Sequence, residues 1–340
     1  MTRRSVLQLI VIGAVAGAVA TVVALALPWL PHVASKEGER IDFVFWFVTW
    51  ICIAVFAVVA AVLGTALLSF RVPLDDDQDG PPIHGHTKLE IWWTAIPAVL
   101  VTAISIVSAI VLAENGKATT NPIKVNVYAQ QFAWTFQYPG YKNVSLPNLY
   151  LEKGRSVELT LRSRDVIHSF WVPQFRQKQD LLPDQDTKLI ITPTRTGEFP
   201  VICTELCGLG HAVMRTRAIV KTPDGFARFM TTATKPQKLS GLAVFAAQGC
   251  GSCHTLSAAK SSGVTGPDLD YLAAYAKRAG KPLDAFVRES ILAPGAYIEP
   301  GCANTMPPNF KELIQPKQLD ALVAYLVKNG AKATAHKGCG

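Results

Sequence analysis

The 340-residue sequence predicts a multi-domain membrane protein, with transmembrane α-helices at the N-terminus, a β-sandwich in the middle and a separate helix-patterned unit at the C-terminus. Three observations predict it. Long apolar runs fill the first third, mean hydropathy is +0.24 and charged residues are only 17%, which signals membrane segments rather than one large soluble core. From Ile123 to Lys221, short alternating apolar and polar stretches are split by turns bearing Pro and Gly, as in an antiparallel sandwich. Beyond a polar stretch from Thr231 to Ser240, the pattern turns helix-like again.

Val6–Leu30, Phe43–Phe70 and Ile91–Ala113 each exceed the roughly 20 residues that a bilayer crossing needs. The first follows Arg3 and Arg4 and reads equally as a signal peptide or as a first membrane helix. Gly13 and Gly17 form a G-x-x-x-G pair suited to close helix packing. The two arginines put the N-terminus in the cytoplasm, so three crossings place everything after Ala113 outside. Trp46, Trp50, Trp92 and Trp93 stand near helix ends as interfacial anchors. Asp75, Asp77, Asp79 and Gly80 imitate the start of a calcium loop, but its twelfth position is His86, which leaves a solvated acidic turn. Glu90 opens the third span, as an interfacial residue or a functional one. Pro97 is expected to kink that helix. The net charge of +8 comes without blocky basic runs, which argues against a nucleic-acid partner.

Alternation at Ile123, Val125 and Val127, again at Val157, Leu159 and Leu161, and through Lys188–Thr192 and Phe199–Cys203 marks strands. His168 begins another apolar run, D-V-I-H-S-F-W-V-P. Residues Cys203 to Met214 read C-T-E-L-C-G-L-G-H-A-V-M. Thiolate, thioether and imidazole donors in one short stretch favour copper, and two cysteines four residues apart suit sulfurs shared between two ions. A disulfide, or half of a zinc site, remains open on these residues alone, although the spacing is not one zinc usually takes.

The C-x-E-x-C-x-x-x-H-x-x-M run behind a D-V-x-H-S strand resembles the binuclear copper (CuA) site of cytochrome c oxidase subunit II. The resemblance implies a cupredoxin-like Greek-key β-sandwich. It assigns Cys203 and Cys207 as bridging sulfurs, His168 and His211 as caps, Met214 as a weak ligand and the Glu205 carbonyl as a further one. It sets the Glu205 side chain against a magnesium ion at the boundary with subunit I, and Glu90 at the mouth of a proton path. It implies an aromatic cluster for admitting electrons at Gln131–Pro139. There this chain departs from the family, with Phe132 in place of the usual tryptophan and Trp134 kept two residues on.

C-G-S-C-H at Cys250–His254 is a haem c attachment motif, in which two cysteines bond the porphyrin covalently and the histidine ligates iron. G-P-D-L at Gly266 and N-T-M-P-P around Met306 make this region resemble a small, all-α class I cytochrome c. Met306 is then the distal ligand and the Pro267 carbonyl orients His254. Met306 is the one methionine in this region. Cys302 and Cys339 stand as a disulfide or as free thiols.

The expected divisions are 1–35 (signal peptide or first helix), 36–118 (helical hairpin), 119–225 (copper domain), 226–240 (linker), 241–332 (cytochrome domain) and 333–340 (tail). The resemblance implies subunit II of a caa-type terminal oxidase, multi-pass in a bacterial plasma membrane with both redox domains on the outer face. Electrons would pass from its own haem c to copper and on to haem a in subunit I, for oxygen reduction coupled to proton pumping. Expected partners are subunit I, other oxidase subunits, membrane lipid, and a soluble or membrane cytochrome c or a quinol–cytochrome c reductase as donor. Two rivals are the electron-transfer subunit of a copper-containing nitric oxide reductase and a membrane-anchored copper carrier or assembly factor. Turnover with oxygen against nitric oxide separates the first, and copper that a mild chelator strips easily would favour the second.

Overall fold

The computed structural model describes residues 3–71, 82, 84–235, 240–334 and 338–339. The acidic turn Asp75–Gly80 lies outside them. The chain divides into two compact units, one made of 1–33 with 38–117 and the other of 34–37 with 118–340.

The first unit holds three helices long and apolar enough to cross a membrane: α1 (Arg3–Ala26), α2 (Lys36–Ser69) and α3 (Thr87–Asn115). At most 11% of their most apolar windows is buried inside the chain. Most of their apolar side chains therefore face outward, as those of spanning helices do. The G-x-x-x-G pair works as expected. A Cβ on Gly13 would lie 3.2 Å from Ala61 Cβ and one on Gly17 3.4 Å from Ala57 Cβ, so the small residues of α1 bring it against α2. Arg40 on α2 donates to Asn115 Oδ1 at 3.1 Å, joining two helix ends. Helix α3 is continuous through Pro97. Its start is capped reciprocally: His86 Nδ1 accepts from Leu89 N, and the Glu90 carboxylate accepts from His86 N at 3.0 Å.

The second unit begins with ten strands. They are β1 (Ile123–Gln130), β2 (Ala133–Tyr138), β3 (Val144–Leu146), β4 (Leu149–Glu152), β5 (Val157–Ser163), β6 (His168–Trp171), β7 (Lys178–Leu181), β8 (Thr187–Ile191), β9 (Gly197–Cys203) and β10 (Arg215–Lys221). They form two five-stranded sheets, β3-β2-β1-β5-β8 and β4-β10-β9-β6-β7. The expected sandwich is present, but not wholly antiparallel: β1 runs parallel to β5, and β4 to β10. Alternation puts Val125, Val127, Leu159, Leu161, Leu149 and Leu151 fully inside. Tyr138 Oη accepts from Tyr150 N at 2.6 Å and donates to Tyr150 O at 2.9 Å, tying one sheet to the other. Glu37 accepts from Thr192 N at 2.8 Å, pinning the segment before the sandwich.

Residues 226–233 of the expected 226–240 linker are not linker. They close helix α4 (Pro223–Ala233), capped by Thr222, which accepts from Gly225 N, and carrying Pro223 in its first turn. Phe226 and Met230, one turn apart, bury this helix against the sandwich. Then come α5 (Gly241–Ala247), α6 (Leu272–Arg278), α7 (Leu283–Leu292), α8 (Phe310–Leu313) and α9 (Pro316–Asn329), around a core that includes Phe245, Tyr275, Phe286 and Leu322. Helices α5 and α9 cross in close contact. A Cβ on Gly241 would lie 2.2 Å from both Ala321 O and Tyr325 Cβ, so only glycine permits the crossing.

Candidate functional site

Strand β6 starts at His168 and pairs with β9, which ends at Cys203. The loop after β9 returns through Cys207 and His211 to Met214, just before β10. Two adjacent strands and one loop thus gather donors from separated parts of the sequence. Cys203 Sγ lies 3.8 Å from Cys207 Sγ, 3.8 Å from His168 Nδ1 and 3.3 Å from Glu205 O. Cys207 Sγ lies 3.5 Å from His211 Nδ1 and 3.8 Å from Met214 Sδ. His168, Cys203, Cys207 and Met214 are buried, while Glu205 is exposed.

Hydrogen bonds outside the donor set orient it. His168 Nε2 bonds Asp165 Oδ1 at 2.8 Å, which turns Nδ1 towards the sulfurs. Asp165 also accepts from Gln131 N at 2.7 Å and Val166 N at 2.8 Å. Burial raises the Asp165 carboxyl, but these donors outweigh it and hold the group below its ordinary value. For His168, burial works against the proton, and the bonds to Asp165 and Cys203 prevail and raise it. The neighbouring Cys207 sulfur holds the Cys203 thiol well below the usual thiol range, despite burial. Asp165 and Gln131 are orienting residues to which the sequence reading gave no role of their own. Asp165 had a signal in its place three residues before His168, and Gln131 opened the aromatic segment without being singled out within it.

The C-terminal helices enclose an apolar cavity lined by Cys250, Cys253, His254, Pro267 and Met306. His254 Nδ1 bonds Pro267 O at 2.8 Å, as expected. Burial lowers the His254 ring, with the Pro267 bond opposing, and so favours neutral imidazole. Burial pushes the Cys250 thiol up to about 12. A Cβ on Gly266 would lie 2.5 Å from His254 Cε1, so this glycine lets the backbone close over the ring.

The two sites share a wall. Gln131 and Phe132, between β1 and β2, line the same cavity as His254. The Gln131 side chain donates to the Cys207 carbonyl. Phe132 packs on the Cys203–Met214 loop so tightly that a Cβ on Gly210 would lie 2.4 Å from its Cδ2. A Cβ on Gly249 would lie 2.5 Å from Ala133 Cβ, and Gln130 Nε2 donates to Gln248 Oε1 at 3.1 Å. Cys253 packs against the sandwich core. Trp134 is buried on the copper side, its ring meeting His168 at 6.5 Å between centroids.

The family description Cytochrome C oxidase subunit II, transmembrane domain, matches residues 21–111, and that of the periplasmic domain matches residues 148–221. Cytochrome c matches residues 239–330. Cytochrome c oxidase subunit 2 of Synechocystis sp. is 30% identical over 306 residues, covering 76% of this chain and 88% of that protein. The chain belongs to the cytochrome c oxidase subunit II family. It is thus a subunit of an oxidoreductase complex, with a cytochrome c domain fused to it. Its counterpart in Thermostichus vulcanus is 33% identical, covering 58% of this chain and 76% of that one. A crystal structure of the periplasmic domain of subunit II of cytochrome oxidase from Bradyrhizobium japonicum is 24% identical, with a TM-score of 0.34, covering 36% of this chain and 97% of that one.

The residues fit the groups this family carries. For nitrogen and sulfur ligands at roughly 2.0–2.3 Å from a metal, the edges of a tetrahedron are about 3.3–3.8 Å, and the nitrogen and sulfur spacings of 3.5 to 3.8 Å match. In the apolar cavity, a histidine fixed through one ring nitrogen stands with two cysteines and a methionine, as a covalent haem requires.

Proposed function

We propose that this chain is the electron-transfer subunit of a haem–copper terminal oxidase, with haem c and a binuclear copper centre held side by side on the outer face of a bacterial plasma membrane. When bound, the two groups supply one-electron chemistry, the haem as donor to the copper pair and the pair as donor to haem a of subunit I, where oxygen reduction drives proton pumping. The observation that carries this reading is the Gln131–Phe132 segment, which lines the haem cavity and bonds the carbonyl of Cys207.

Each residue then has a role. Cys203, Cys207, His168, His211, Met214 and the Glu205 carbonyl would hold the copper pair. Asp165 fixes the His168 ring, so that geometry changes little between redox states. Phe132 excludes water from the wall between the sites, being only 8% exposed. His254 and Met306 would hold the iron, and Cys250 and Cys253 the porphyrin. Exposed apolar Leu206 and Leu209 on the copper loop offer a docking face to subunit I. The exposed Glu205 side chain is available there to a magnesium ion. Glu90, at the head of α3, stands at a proton-path mouth. Cytochrome c or a quinol–cytochrome c reductase delivers electrons to the haem.

The test is rapid photoreduction of the haem in the purified full chain, followed optically at both centres. Copper reduction in step with haem reoxidation, independent of protein concentration, supports the reading. Haem reoxidation without copper reduction contradicts it.

A further inference from the structure

Met306 sits in a long irregular segment. Between α7, ending at Leu292, and α8, starting at Phe310, the chain has no regular element except one short turn, Pro294–Ala296. Met306 is carried by this loop. Segments of that kind open most readily. Here the loop is tied down from outside. Cys302, four residues before Met306 and itself in the cavity wall, is bonded to Cys339 near the chain's end, 37 residues on.

Contacts around the bond converge. A Cβ on Gly338 would lie 2.1 Å from Glu299 Cγ, so the tail presses directly on the loop. Glu299 is 6% exposed and accepts from Arg278 and from Tyr297 Oη. On its other side, Cys339 Sγ lies 3.8 Å from Thr265 O. Thr265 leads straight into Gly266 and Pro267, which close over the His254 ring. One covalent point thus joins the tail to the distal loop and abuts the proximal loop.

We propose that the Cys302–Cys339 disulfide is a positioning element for the haem, fixing the loop that carries Met306 so that the sulfur stays on the iron. This rests on the reading of Cys250–His254 as the haem site. The bond acts through Met306 and touches no reacting atom.

The test uses the purified full chain with its haem, in the ferrous form. Carbon monoxide binds ferrous haem c only where the distal ligand leaves, and its apparent affinity scales with the fraction of open sites. The intact chain should bind it sparingly. The double variant C302S/C339S should bind it at least tenfold faster, with haem content and helix content unchanged. A second arm avoids a variant that fails to fold. An excess of a small dithiol opens the bond in the folded chain: the reagent gives up two electrons and two protons, Cys302 and Cys339 become thiols and the reagent becomes a cyclic disulfide. Carbon monoxide binding should rise by the same factor and fall back once the bond is re-formed by air.

Unchanged carbon monoxide binding in both arms, with only the melting temperature lowered, would overturn the proposal, since the bond would then serve overall stability alone. A chain carrying no covalent haem spectrum would overturn this inference and the haem reading together.

Discussion

Ala133→Leu tests whether the cytochrome domain is seated on the copper domain or merely tethered to it. Ala133 is 5% exposed, and a Cβ on the facing Gly249 would already lie 2.5 Å from the Ala133 Cβ. Leucine adds three carbon atoms where there is no room, and overpacking of this kind costs about 1–3 kcal/mol. One hydrogen bond, Gln130–Gln248, helps to resist separation, worth about 1 kcal/mol net. A cost of that size lowers the population of the seated state roughly 5- to 150-fold if the unseated form becomes dominant. Haem-to-copper electron transfer in the full chain, measured by flash photoreduction, should slow at least fivefold. The haem spectrum and the copper paramagnetic resonance should stay unchanged, because Ala133 is itself no candidate ligand. An unaltered rate, with X-ray scattering showing an unaltered shape, would refute the seating.

Other outcomes follow from single contacts. Asp165→Asn removes the carboxylate that fixes His168, and loss of such a partner costs about 10–100-fold in metal affinity; copper retention against a graded chelator checks this, and equal retention counts against the role. Gly266→Ala pushes a Cβ to 2.5 Å from His254 Cε1, so the proximal bond to Pro267 should weaken and the haem potential shift, while an unchanged potential would show the loop gives way freely. Asp270 should set an acid limit on the cytochrome domain. Burial raises its carboxyl, but Lys332, Ser257 Oγ and Ser257 N outweigh burial and hold it below its ordinary value. A carboxylate depressed in the folded state stabilises fully above its unfolded value near 3.9, and that stability drains away as pH falls through the folded value. Melting temperature should therefore drop below about pH 4 and do so less steeply in Asp270→Asn; an identical acid limb in the variant would contradict this.

Much of the site was legible because its ligands are local. Four of the candidate copper donors, Cys203, Cys207, His211 and Met214, fall within twelve residues, and His168 starts a recognisable strand. The haem motif is contiguous, and Met306 had no competitor in its region. The shared wall was not legible, because Ala133 and Gly249 are more than a hundred residues apart and neither lies in any periodic pattern. Alternation located the strands but not their directions, since a period of two is the same whether a neighbour runs parallel or antiparallel. Helix α4 was misread at its polar end, although Thr222 and Pro223 carry its start signal and Phe226 and Met230 its buried face. The Glu90 carboxylate caps α3 at the place where the family resemblance puts a proton path.

The central claim is that paired coppers share the two cysteine sulfurs beside a covalent haem. Metal analysis and paramagnetic resonance of the fully loaded chain test it most directly. The expected result is two coppers and one iron per chain, with hyperfine splitting from an unpaired electron spread over both coppers. One copper, or zinc in its place, with splitting from a single nucleus or none, would contradict it.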